Sequence, residues 1–520
     1  MTVDSISLAV FRSLFESAAE EMGVTLQRAA FSPNIRERLD FSCAVFDAEA
    51  RMVAQAAHIP VHLGSMPASV EAAVRAFGAL EPGDVVILND PYSGGTHLPD
   101  VTMVSPVFFG GGAPLFYVAS RAHHADIGGM SPGSLPLSTE LYQEGLIIPP
   151  IKLIEGGRRN EGVMALLTAN SRGPEERIGD IEAQLAAQRI GERRLRSIVE
   201  THGVETAAAH AAALMDYSRR MTEAVIASIP DGVYTFADAL ESDGQREYPI
   251  PICATITVQG GRMTVDFTGS APQVAGNLNA VPAIVRSATW YCVRLLAEED
   301  VAVNHGCFEP VTVITPPRSV LNPVFPAAVV VGNTETGQRV VDAVMGALAL
   351  ALPGRIPAAS QGTMNNLAVG GFLADGRQFV YYETIAGGHG ASADSDGISG
   401  RHVHMTNTRN TPVESLEYAL PLRVWTYRLR DGSGGAGAHR GGDGVVREYE
   451  FLTPATVTIN SERRIRPPYG LEGGAPGARG INRLTTGGET VLLGGKWTGR
   501  VAPGDRLSIE TPGGGGWGDA

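Results

Sequence analysis

The sequence predicts an α+β chain, β-rich toward both ends, with a helical segment near 174–228, and three observations predict it. First, 63 glycines and 33 prolines among 520 residues are a surplus that favours turns and short strands over helical bundles. Second, residues 175–228 contain no proline and are rich in Ala, Glu, Arg and Leu, the composition of long helices. Third, beyond Pro230-Asp231-Gly232, Ile252, Ala254, Ile256 and Val258 alternate with polar or small residues. Gly260-Gly261 then turns the chain into Met263, Val265 and Phe267, a hairpin signature.

Taken in order, residues 5–22 place Phe11, Leu14, Phe15, Ala18 and Met22 on one helical face, which predicts an opening amphipathic helix. From 35 to 150, apolar runs at 41–46, 85–88, 101–109 and 115–120 are broken by Gly, Pro, Asn and Asp, as strands are. Pro174 suits a helix start, and one or two helices run from there to 228. Residues 338–352 return to a helical pattern. From 430 onward short strands alternate with Gly-rich turns, ending in Thr511-Pro512-Gly513-Gly514-Gly515-Gly516. The expected divisions are an α+β region over 1–173, a helical segment over 174–228, a β-rich α+β region over 229–400 and a Gly-rich β region over 401–520.

Composition excludes several functions. Forty-one basic against 55 acidic side chains leave a net charge of −14, which opposes binding to nucleic acid or an anionic membrane. Lys152 and Lys496 are the only lysines, so Schiff-base chemistry is nearly excluded. Cys43, Cys253, Cys292 and Cys307 form no CxxC pair, which points to reduced thiols rather than a zinc knuckle or disulfide framework. The acidic N-terminus does not resemble a secretory signal, and no apolar run reaches membrane-spanning length; cytoplasmic residence is the expectation. A phosphate-binding G-x-x-x-x-G-K-[ST] loop is absent, as is a G-x-S-x-G elbow.

Chemistry concentrates in Gly94-Gly95-Thr96-His97-Leu98-Pro99-Asp100 and Arg121-Ala122-His123-His124-Ala125-Asp126-Ile127-Gly128-Gly129. A hairpin centred near Gly111 sets position 100 opposite about 122 and position 98 opposite about 124, so both clusters meet at one end of a ribbon. Imidazoles and carboxylates gathered there suit a divalent cation, zinc, manganese or iron, with positions left for water or substrate. A polar structural network is the competing account. Asp40, just before the apolar run 41–46, is a candidate ligand or general base. His58 and His62 flank Pro60 ahead of Gly64-Ser65-Met66, a segment expected to line or support the pocket. Gly387-Gly388-His389-Gly390, residues 401–408 and Gly332-Asn333-Thr334-Glu335-Thr336 are secondary binding candidates that also read as ordinary turns or caps.

At these residues the chain resembles the hydantoinase B/oxoprolinase family. The likeness runs through Phe31-Ser32-Pro33, Arg38-Leu39-Asp40-Phe41-Ser42, Asn89-Asp90-Pro91-Tyr92 and the two His/Asp segments. It continues in Asp266-Phe267-Thr268-Gly269-Ser270, Gly276-Asn277, the 332–339 stretch and the terminal 511–518 segment. The resemblance implies the β-type subunit of an ATP-dependent cyclic-amide hydrolase opening a hydantoin, lactam or 5-oxoproline ring. The alternative is a subunit of an acetone- or acetophenone-type ketone carboxylase, and a purely structural partner is a third. It also implies a hetero-oligomer in which a hydantoinase A-type partner binds ATP and Mg and phosphorylates a small-molecule substrate. On this resemblance His97, Asp100 and His123 are metal ligands and Asp40 a fourth, with His124, Asp126 or Asp40 moving protons; it does not choose between His123 and His124 as ligand. His58, Ser65, Gly388 and His389 are the expected substrate-binding residues. The turn Asn304-His305-Gly306-Cys307-Phe308 departs from the family's pattern, which is richer in arginine there.

Overall fold

The structure, a computed structural model, describes residues 3–56, 59–297 and 301–519. Its helices are α1 (Ser5–Ala29), α2 (Pro33–Arg36), α3 (Ser65–Phe77), α4 (Glu161–Ala169), α5 (Pro174–His202), α6 (Val204–Ala227), α7 (Pro282–Leu295), α8 (Gly337–Ala351) and α9 (Val413–Ala419). The opening helix starts where Asp4 caps Ser7 N–H and Ser7 returns the bond to Asp4 N–H, a reciprocal arrangement that satisfies otherwise orphaned donors. Of the expected stripe, Phe11, Phe15, Ala18 and Met22 are buried and Leu14 is half-buried. The expected helical stretch is α5 and α6, separated at Gly203, whose φ of 87° suits glycine.

The first sheet holds β1 (Phe41–Asp47), β2 (Met52–Gln55), β3 (Val85–Leu88), β4 (Asp100–Val107), β5 (Phe116–His123), β6 (Ile151–Glu155) and β7 (Arg158–Arg159), in the order β2-β1-β5-β4-β3-β6-β7. Every residue of β1, β4 and β5 is buried, because both faces are covered. Phe41, Cys43, Val45, Val118 and Ala122 pack against the apolar faces of α1 and α5. Ala44, Phe46, Val104 and Ala119 face Met66, Val70 and Ala73 of α3. The helical segment is thus a cover of this sheet.

The ribbon expected around Gly111 is β4–β5, with one difference. Asp100 pairs with His123 and Val107 with Phe116, so the turn's midpoint lies between Gly111 and Gly112, not on Gly111. Since side chains alternate faces, a shift of one position decides which of two neighbours shares a face with Asp100.

The second sheet, β8 (Gly232–Ser242), β9 (Glu247–Gln259), β10 (Arg262–Asp266) and β11 (Val311–Ile314), contains the expected hairpin as β9–β10. It packs under α7 and α8, where Ile252, Ala254 and Ile256 meet Val340, Val344 and Leu348. The remaining strands are β12 (Asn366–Phe372), β13 (Gln378–Glu383), β14 (Leu422–Arg430), β15 (Gly444–Phe451), β16 (Ala455–Asn460), β17 (Ile481–Thr486), β18 (Glu489–Leu493), β19 (Lys496–Val501) and β20 (Arg506–Glu510). They form sheets ordered β13-β12-β16-β19 and β14-β15-β20-β17-β18. The division expected at 400/401 therefore runs through hydrogen-bonded β12–β16 pairing, a long-range contact that leaves no local mark in sequence.

Between these sheets, glycine-rich backbones lie against one another. Gly442 N–H donates to the His389 carbonyl at 2.8 Å, Gly514 N–H to Gly442 at 2.9 Å and Gly388 N–H to Pro512 at 3.0 Å. A Cβ on Gly514 would sit 2.1 Å from the His389 carbonyl oxygen, and one on Gly388 2.0 Å from that of Gly442. Neither glycine has positive φ, so what they supply is close approach.

Candidate metal centre

The register of β1, β5 and β4 builds the site. Phe41 pairs with Ala122 and Asp100 with His123, and the His123 N–H donates to the Asp40 carbonyl at 3.0 Å. His123 and Asp100 thus share a rung of β5 and β4, with Asp40 facing His123 one residue ahead of β1, and alternation sends their side chains to one face. His97 joins from the turn entering β4, where its carbonyl accepts the Asp100 N–H at 3.1 Å. Ligand atoms of His97, Asp100 and His123 all lie within 4.8 Å of one another, and all three residues are buried.

Each side chain is aimed by its neighbours. His97 Nδ1 lies 2.9 Å from the Val330 carbonyl, which can only accept, so Nδ1 carries a proton. Nε2 is turned toward Asp100 Oδ1 at 3.2 Å and Asn333 Nδ2 at 3.0 Å. Burial disfavours charge on this ring, yet Asp100, the Val330 carbonyl and Asp40 together raise its pKa. Asp100 Oδ2 accepts from Thr96 Oγ1 at 2.6 Å and faces His62 Nε2 at 3.6 Å, leaving Oδ1 for the cluster. Despite burial, His97 and His62 hold the Asp100 carboxyl well below the usual range. His62 in turn contacts Ser42 Oγ through Nδ1 at 2.9 Å.

His123 stacks on the Tyr382 ring at 4.6 Å and meets His97 edge-on at 5.1 Å. Its Nδ1 lies 3.1 Å from Asn34 Nδ2, while Asn34 Oδ1 is taken by Arg38. Burial, then the charge of His97, push its pKa well down, so the ring is neutral. Its buried Nε2 has no hydrogen-bonding partner among the described residues. Asp40 is raised to about 7, chiefly by burial, with Arg38 opposing and Asp100 adding to the rise; it lies outside the 4.8 Å set. Two imidazoles, a polarised carboxylate and an orphaned ring nitrogen fit a borderline divalent cation of the zinc, manganese or iron type.

Other expected site residues lie elsewhere. Alternation turns His124 to the opposite face, where its Nε2 meets Gln184 Oε1 of α5 at 2.9 Å; of the neighbouring histidines, His123 is the one in the cluster. Asp126 accepts from Arg172 Nη1 at 2.9 Å and from the N–H groups of Gly128, Gly133 and Arg172, which occupies both oxygens in holding its loop. Ser65 Oγ accepts from Arg121, whose remaining donors reach Thr102 and Ser69. Gly388 and His389 belong to the glycine-packed layer, with His389 Nδ1 against the Gly390 carbonyl at 2.8 Å. His58 lies outside the described residues. The 304–308 turn is packed on α6, Asn304 Nδ2 donating to Ser218 Oγ at 2.9 Å.

A family model described as hydantoinase B/oxoprolinase matches residues 4–520. The chain belongs to the hydantoinase B/oxoprolinase family. It is similar to 5-oxoprolinase 1 of Arabidopsis thaliana, with 41% identity over 99% of this chain and 42% of that protein, so it spans about two-fifths of that relative's length. A putative B-type subunit of a D-/L-hydantoinase from Pseudomonas sp. is 33% identical over 99% of this chain and 90% of its own. The crystal structure of ATP-dependent caprolactamase from Pseudomonas jessenii matches with a TM-score of 0.93 and 31% identity, covering 100% of this chain and 92% of that one.

Within this family member, sequence reasoning missed the residues that aim the cluster. Thr96 and Arg38 lie inside the motifs already singled out and Asn34 directly follows one of them, but their bonds depend on side-chain direction. Asn333 and Tyr382 arrive from distant segments. The sequence signal for Asn333 was the Gly332–Thr336 turn ahead of α8; for Tyr382 there was none.

Proposed function

We propose that this chain is the metal-bearing subunit of an ATP-dependent hydrolase of cyclic amides. The observation that carries the reading is the buried His97–Asp100–His123 cluster on a hydantoinase B/oxoprolinase chain. Relatives named 5-oxoprolinase, D-/L-hydantoinase and caprolactamase support a lactam- or hydantoin-type ring as substrate. The 5-oxoprolinase is more than twice as long as the matched region, whereas the hydantoinase polypeptide is nearly coextensive with it. This supports a separate hydantoinase A-type partner for the ATP-dependent half.

An unstrained amide is a poor electrophile, and phosphorylation of its oxygen by the partner activates the carbonyl carbon. Water adds there, the C–N bond breaks as nitrogen takes a proton, and the remaining acyl phosphate hydrolyses to carboxylate and phosphate. His97, Asp100 and His123 would hold a zinc-, manganese- or iron-type ion, which when bound would supply Lewis-acid polarisation and a lowered pKa for water. Asp40, facing His123, serves as fourth ligand or proton acceptor, and both roles require its ionised form. Thr96 and His62 keep Asp100 Oδ1 directed at the cluster. The dry surroundings strengthen each of these interactions.

The test is to co-purify the chain with its A-type partner and supply hydantoins, 5-oxoproline and lactams with ATP, reading product mass and phosphate release. Ring-opened acids formed with ATP consumption are expected. A β-keto acid made from a ketone and bicarbonate, with every cyclic amide left intact, would overturn the reading in favour of a carboxylase.

A further inference from the structure

Glu144 is fully buried and follows a short turn, Leu141–Gln143, far in sequence from any ligand. Three donors converge on its Oε1: Ser138 Oγ at 2.7 Å, Val329 N–H at 2.9 Å and Val330 N–H at 3.0 Å. The next amide, Val331 N–H, donates to the Asn277 carbonyl at 3.1 Å. Three consecutive amides of a segment outside regular structure are therefore fixed, and the Val330 carbonyl between them is held in one direction. That carbonyl is the acceptor for His97 Nδ1 at 2.9 Å. A histidine that donates from Nδ1 offers Nε2 as its lone pair, and outer partners of this kind set both tautomer and ring orientation of a ligand.

We propose that Glu144 is a positioning residue, which acts through the Val329–Val330 backbone to present His97 Nε2 to the cation. The inference rests on the metal reading above. A burial role alone would be met by any side chain that fills the space; this role needs an acceptor oxygen. Glu144→Met fills a similar volume without the acceptor, and Glu144→Gln retains it.

The experiment measures zinc binding by chelator competition on the full chain, beside its thermal melt. Wild type is expected to hold zinc and His97→Ala to lose it. Glu144→Met should weaken zinc binding by about 10- to 100-fold, and Glu144→Gln should restore it to within about threefold of wild type even where its melt is lowered by an unpaired amide. Weakened binding in Glu144→Met that Glu144→Gln does not restore, or a Glu144→Met protein that binds zinc like wild type, overturns the proposal. Equal zinc binding by wild type and His97→Ala instead overturns the metal reading itself. Where Glu144→Met does not fold, nitrogen NMR of His97 in metal-free wild type at pH 9 decides: a proton on Nδ1 is expected, and one on Nε2 contradicts the inference.

Discussion

Asp40, Glu144 and Glu335 are buried carboxyls that loss of water raises to about 7. Folded Asp40 holds its proton more tightly than an unfolded aspartate with the usual 3.8. Its stabilising contribution is therefore complete at low pH and is lost as pH rises toward about 7. Metal-free Asp40→Asn should melt several degrees above metal-free wild type at pH 8 and close to it below pH 4; adding zinc should reverse the order at pH 8. Melts in chelator and in zinc at both pH values check this, and identical curves at pH 8 would contradict it. That the two His/Asp segments meet was legible in sequence because both lie at one end of a single ribbon; the choice of His97, Asp100 and His123, with Asp40 beside them, rested on the family resemblance. The partners Glu144 and Tyr382 were not legible, since they reach the site from segments distant in sequence, one through a hydrogen-bonded backbone and one through a ring stack.

The β4–β5 ribbon carries the site as an element, and its two ends differ in what they tolerate. At the tip, a Cβ on Gly110, Gly111 or Gly112 would meet nothing within 4 Å among the described residues, and lengthening such a loop costs only about 0.6 kcal/mol per doubling. Two extra glycines after Gly111 should leave zinc binding unchanged and the melt nearly so. A single residue inserted between Thr102 and Met103 should abolish zinc binding, because it moves Asp100 off the rung of His123. Chelator competition on both variants distinguishes them, and a zinc-binding strand insertion would refute the register argument. The ribbon was readable from its two apolar runs and glycine triplet. Its register was not, because three successive glycines do not mark the turn's midpoint.

At the scale of the whole molecule, the segments flanking β13, β14, β15 and β20 meet in a layer in which residues 387–390, 433–444 and 512–518 lie backbone to backbone. Gly514→Ala would force a methyl within 2.1 Å of the His389 carbonyl, an overpacking expected to cost about 1–3 kcal/mol or more, whereas Gly111→Ala should be neutral. Thermal melts check this, and equal melts would contradict it. The terminal glycine run was visible in sequence as turns; its function as a close-packed layer was not, since its partners come from separate segments. The same holds for the α5–α6 stretch, whose helices were evident and whose place over the first sheet was not. On the proposed metal reading, the strand register makes His123, and not His124, the ligand beside His97 and Asp100. Elemental analysis of the chain purified with its partner tests it most directly. A divalent cation is expected in wild type and in His124→Ala but not in His123→Ala; a cation retained by His123→Ala and lost from His124→Ala would contradict it.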